Sequence, residues 1–203
     1  MTQHDAAQDL AYIRQVMEQS RRYTAAQGVF FVIWGVAVSL ALLLTWLQIL
    51  GHIGGSNFLV WGVVMVAAWG LTMYCAWQQH RDSATPYHAQ LIGMNWTAVG
   101  IAMGLAFFVG VPTQALSVQA IPGLSALFVG VGIFNTGHLS SIRWLAGVGV
   151  VWLACGALML AWPGVHNIMA MAVLLLVGQI LPGLVLMREE RARRAQQGGG
   201  ANG

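Results

Sequence analysis

Six separated stretches of this chain, at about residues 29–50, 58–77, 91–111, 115–135, 144–162 and 165–187, contain no Asp, Glu, Arg or Lys. Each is roughly 19–23 residues long. A helix of that length rises about 30 Å, the thickness of the hydrocarbon core of a bilayer. Apolar residues gathered into such long runs are what a bilayer solvent demands. The chain is 58% hydrophobic and 7% charged, whereas soluble domains carry about 25% charged residues. So few polar side chains cannot coat a water-soluble surface. The expected fold is therefore all-α, a polytopic membrane helix bundle of six transmembrane helices.

Charge sets the expected orientation. All nine basic residues are Arg, and the formal net charge is +3. That excess suggests nucleic acid only if position is ignored. Arg14, Arg21 and Arg22 precede the first span, Arg81 lies between the second and third, and Arg143 between the fourth and fifth. Arg188, Arg191, Arg193 and Arg194 follow the sixth. The other three loops, 51–57, 112–114 and 163–164, hold none. With six spans every arginine falls on one side, which the positive-inside rule makes cytoplasmic, with both termini there. Losing or merging a span would scatter the arginines across both faces. Trp46, Trp61 and Trp162 then sit near the outer interface and Trp77, Trp96 and Trp144 near the inner one, as in an aromatic belt. Trp34, Trp69 and Trp152 lie deeper and are expected to pack between helices. The partners implied are the lipid bilayer, a cytoplasmic protein or a second copy of the chain, and no nucleic acid.

The chain divides into a cytoplasmic helix over residues 1–28, a six-helix transmembrane domain over 29–187, and a basic tail over 188–203 with a glycine-rich, disordered end. In the first segment Leu10, Ile13 and Met17 recur at three- and four-residue steps, while Gln8, Arg14, Gln15, Glu18 and Arg22 face elsewhere. That is an amphipathic helix from about Asp5 to Ala26. It either lies against the membrane or bundle or docks a cytoplasmic partner. In the second case Arg14, Glu18, Arg21 and Arg22 are the candidate binding residues. The first apolar run follows this polar segment and is too long for a signal-peptide core.

The chemistry-bearing residues exclude more than they suggest. All six acids, Asp5, Asp9, Glu18, Asp82, Glu189 and Glu190, lie outside the spans. Proton-coupled carriers, voltage sensors and charged pores need ionisable groups at depth, and hydrolytic chemistry often needs paired carboxylates. The expectation is no enzyme, no cofactor and no metal. Cys75 and Cys155 form no C-x-x-C pair, and no two histidines share a helix at three- or four-residue spacing. Met169 and Met171, two residues apart on a helix, point in different directions. Of the neutral polar residues, Asn95, Thr97 and Gln179 are the candidate lining groups of a path for a neutral or lipophilic molecule. Pro182 frees the carbonyl four residues back, that of Gly178, so a kink or local polar repair is expected there.

Small residues repeat every four positions in the third span, at Ala98, Ala102, Ala106 and Gly110, with Gly100 and Gly104 on a neighbouring stripe. Gly35 and Ser39, and Ala37 and Ala41, do the same in the first. Such stripes let helices approach closely, within the protomer or between copies. The similar runs at 121–124 and 181–184 sit at unequal depths, so an inverted repeat is not expected.

The segment from Ile13 to Thr24, with Arg14, Met17, Glu18, Ser20 and Tyr23, resembles an N-terminal pattern of uncharacterised bacterial multi-pass membrane proteins, I-R-x-x-M-E-x-S-x-x-aromatic-T. The resemblance covers about a tenth of the chain. It implies a bacterial cytoplasmic membrane location and a defining role for the N-terminal segment, and no particular activity. The residues thus point first to a structural, regulatory or scaffolding membrane protein with a partner-facing N-terminal helix, and second to a permease.

Overall fold

The structure, a computed structural model, describes residues 24–25, 27–80 and 87–199. Helix α1 spans Gly28–Ile49, α2 Asn57–His80, α3 Tyr87–Leu105, α4 Ile121–Leu139, α5 Arg143–Ala161, α6 His166–Leu175 and α7 Leu181–Gly199. A π-helical turn, Ala106–Gly110, extends α3, and a second, Leu176–Ile180, joins α6 to α7 as one continuous span. Six helical stretches are long and apolar enough to cross a membrane. No strand occurs among the described residues. The protein is an all-α, multi-pass membrane bundle. The amphipathic helix expected over residues 5–26 falls almost wholly outside the described residues, as does loop 81–86.

Several boundaries differ from the sequence reading. The fourth span begins as a 3₁₀ turn at Val118–Ala120, and α4 follows with Pro122 in its first turn, where a missing N–H costs nothing. Residues 111–117 form turns instead, with Gln114 at φ 60°. At its far end α4 continues past Asn135 to Leu139, because its polar residues find partners on their own helix. Thr136 Oγ1 donates to Gly132 O at 2.7 Å, and His138 Nδ1 lies 3.1 Å from Phe134 O. The α4–α5 connection shrinks to three residues, with Ser141 at φ 55°. At the end of the chain α7 runs on to Gly199, and residues 200–203 lie outside the described part.

The tightest unit is the α4–α5 hairpin, where glycines let two backbones meet. A Cβ built on Gly149 would lie 2.5 Å from Phe134 N, and one on Gly137 would lie 2.3 Å from Ala146 N. Lipid tails are as apolar as the side chains, so close van der Waals packing replaces the hydrophobic effect as the force between helices. Trp152, Ile133 and Leu145, all fully buried, fill the core beside this seam.

Helix α1 packs against the α6–α7 span, so the first and last spans are neighbours. Gly28 and Gly183 are the contact points, each too close to the other's carbonyl oxygen to admit a Cβ. Helix α3 joins through α4 and through Trp96, whose ring meets Phe31 edge-on at 5.7 Å. Helix α2 rests on α1, with Trp34 and Trp69 edge-on at 5.8 Å. Only 6% of its span is fully buried, against 39% of the last span, so α2 is the most exposed of the six spans.

Candidate functional site: the buried polar groups

The interior carries no charge, so its polar groups are the chemistry available. The most developed group surrounds Pro182. Leu181 N–H reaches back five residues to Leu176 O, which opens the π turn. Pro182 has no N–H to give Gly178 O, and its ring crowds that carbonyl. The Trp152 indole supplies the missing donor, Nε1 to Gly178 O at 2.9 Å. Only glycine fits at 178, because a Cβ there would lie 2.5 Å from Trp152 Nε1. The polar repair expected from the sequence is thus made by α5. Gln179, in the same turn, is 7% exposed. Its amide has no hydrogen-bond partner among the described residues.

A second group joins α3 to α4. Asn95 Nδ2 donates to Gly132 O at 3.0 Å, and Asn135 Nδ2 donates to Asn95 Oδ1 at 3.0 Å. Thr97, two residues on, faces away and returns its hydroxyl to Gly93 O of its own helix at 2.8 Å. No hydrogen bond joins the three candidate lining residues Asn95, Thr97 and Gln179 among the described residues. The Asn95→Ala variant should lose about 0.6–1.7 kcal/mol of stability, from the average to the largest value measured for interhelical hydrogen bonds in a membrane. Unfolding in mixed micelles measures it, and an unchanged midpoint would show that the amide bridge is idle.

The third group lies at the end of the bundle that carries Arg143 and Arg188. Thr24 and Ser140 are both fully buried and share a hydroxyl–hydroxyl hydrogen bond. This fastens the end of the N-terminal motif to the short α4–α5 connection. Arg14, Glu18, Arg21 and Arg22 lie outside the described residues.

The opposite end is held by loop clips. Thr45 Oγ1 donates to Asn57 Oδ1 at 2.8 Å and accepts from Trp61 Nε1 at 3.1 Å. Asn167, buried, donates to Met159 O and Trp162 O and closes the end of α5. Composition and periodicity alone do not reveal this capping role of Asn167. Its position five residues after Trp162, where α5's apolar run ends, is the available signal. His52 and His166 are exposed, and both cysteines are free. Among the described residues no three His, Cys, Asp or Glu side chains gather into a metal-binding group.

A multi-pass α-helical membrane protein is the class that this fold defines. Comparisons with protein-family models, curated proteins and solved structures find no match to the chain.

Proposed function

We propose that this protein is a structural, regulatory or scaffolding component of a bacterial cytoplasmic membrane, with both termini in the cytoplasm and a partner-facing N-terminal helix. The observation that carries the reading is the buried Thr24–Ser140 contact. It ties Thr24, the end of the N-terminal motif, to the most closely packed hairpin. Most of the buried polar groups described above bond to backbone carbonyls or to one another, an arrangement that supports architecture over turnover. Arg14, Glu18, Arg21 and Arg22 are the residues proposed to meet the partner.

Cross-linking in native membranes followed by purification tests this. The full chain should capture a distinct protein, and a chain lacking residues 1–23 should lose it. Recovery of the protein alone in both cases overturns the reading. The orientation is tested by labelling a cysteine introduced between residues 81 and 86 with an impermeant reagent, and labelling from the periplasm overturns it.

One observation favours a second reading, a permease for a neutral molecule. Gln179, 7% exposed, makes no side-chain hydrogen bond among the described residues and stands in a π turn, and such turns recur at functional sites. Flux of neutral solutes into proteoliposomes that disappears in Gln179→Leu would support it.

A further inference from the structure

The lipid-facing strip of the last span changes character along its length. Val177, Leu181 and Leu184 are 59%, 52% and 40% exposed on α6–α7. The same strip continues at three- and four-residue steps to Arg188 and Arg191, both exposed. From His166, Leu184 lies about 27 Å along the helix and Arg188 about 33 Å, at 1.5 Å per residue. The hydrocarbon core is about 30 Å thick. With His166 at one edge of that core, the strip turns from aliphatic to guanidinium at the opposite edge, where headgroup phosphates begin.

The neighbouring acids do not neutralise it. Glu189 is engaged by Arg193 at 3.8 Å. Glu190 is two residues from Arg188 and so projects from the opposite side of the helix. Arg188 and Arg191, three residues apart, form no ion pair among the described residues. Their aliphatic stems can lie along the apolar strip while the forked donors reach a phosphate.

We propose that this strip binds an anionic phospholipid, with the headgroup phosphate held by Arg188 and Arg191 and an acyl chain along Leu184, Leu181 and Val177. The site needs only the geometry of α6–α7, and it stands whichever leaflet that end occupies and whatever the N-terminal segment binds.

Native mass spectrometry of the full chain with equal phosphatidylglycerol and phosphatidylcholine tests it. Phosphatidylglycerol should be retained preferentially. Arg188→Gln and Arg191→Gln should each weaken its retention about fivefold, and the pair about 25-fold, since each basic residue near a headgroup contributes about a fivefold factor. Phosphatidylcholine retention should not move. The double Arg→Lys variant should keep most of the preference, and Arg143→Gln, on α5, should leave it within about twofold. Equal retention of the two lipids, no effect of the Gln variants, or an equal loss in Arg143→Gln would each overturn the proposal. So would heparin binding through the same arginines in detergent without any headgroup preference, which would assign them to a soluble acidic partner. If the double Gln variant does not fold, the unmodified protein decides. Its preference should fall steeply between 0.05 and 0.5 M NaCl, about the range over which surface charge becomes screened, and a salt-independent preference overturns the proposal.

Discussion

Gly149→Ala should lower the unfolding free energy by about 1–3 kcal/mol, the usual cost of forcing a methyl group into a packed site. The added carbon would sit 2.5 Å from Phe134 N and 2.6 Å from Phe134 Cα. Both are backbone atoms, so no side chain can swing aside, and the α4–α5 seam must open instead. Gly100→Ala provides the contrast. Nothing lies within 4 Å of a Cβ at that position, and alanine is the better helix former by about 1 kcal/mol. That variant should be neutral or slightly stabilised. Unfolding titrations in mixed micelles compare the two. Equal effects would mean that the seam is not the packed core of the bundle.

Trp152→Ala should cost about 3 kcal/mol, the lower end of the range for removing a buried aromatic side chain. The lower end applies because the unfolded helices remain in lipid, so little transfer from water is lost and the cavity dominates. Trp152→Phe separates the hydrogen bond from the volume. It leaves Gly178 O without the donor that the indole provides, which should cost about 1–2 kcal/mol. Pro182→Ala returns a backbone N–H to the position four residues after Gly178. In that background Trp152→Phe should cost at least about 1 kcal/mol less. A double-mutant cycle reads this directly, and strictly additive costs would show that the indole does not compensate for the proline.

How far the sequence foretold these contacts follows from the physics of each. The six spans are legible because a charge-free apolar run has no other stable place than a bilayer. The liberated Gly178 carbonyl is legible because proline's missing N–H is a local fact. Its repair by Trp152 is not, since the donor comes from another helix 26 residues away in sequence. The π turn was also unforeseen, although it recurs. Val111 N–H reaches back to Ala106 O immediately before Pro112, as Leu181 N–H does to Leu176 O before Pro182. In both places the residue before proline yields one extra residue to the helix.

Small-residue stripes were only half informative. The stripe in α3 attracts attention, yet a Cβ built on Gly100 or Gly104 would meet nothing within 4 Å. Gly35, flagged in α1, does meet Ile180 on the last span. The real seam uses Gly123, Gly130 and Gly137 at seven-residue spacing on α4, against Gly156, Leu153 and Ala146 on α5, with Gly149 against Phe134. A motif within one helix says that close approach is permitted; only the match between two antiparallel helices says where it happens. Nor did the pattern of α3 reveal that Asn95, a candidate lining residue, bridges its amide to Asn135 and Gly132 on α4.

The contact of α1 with the final span also has a consequence for biogenesis. Gly28 and Gly35 on the first span are fitted to Gly183 and Ile180 near the end of the chain. A nascent protein halted after α5 would present those glycines to lipid, with no surface to receive them. The α4–α5 hairpin can close as soon as it is inserted, because both halves of its seam are then present. The first span has to wait, held in the bilayer or by the insertion machinery, until the last has left the ribosome.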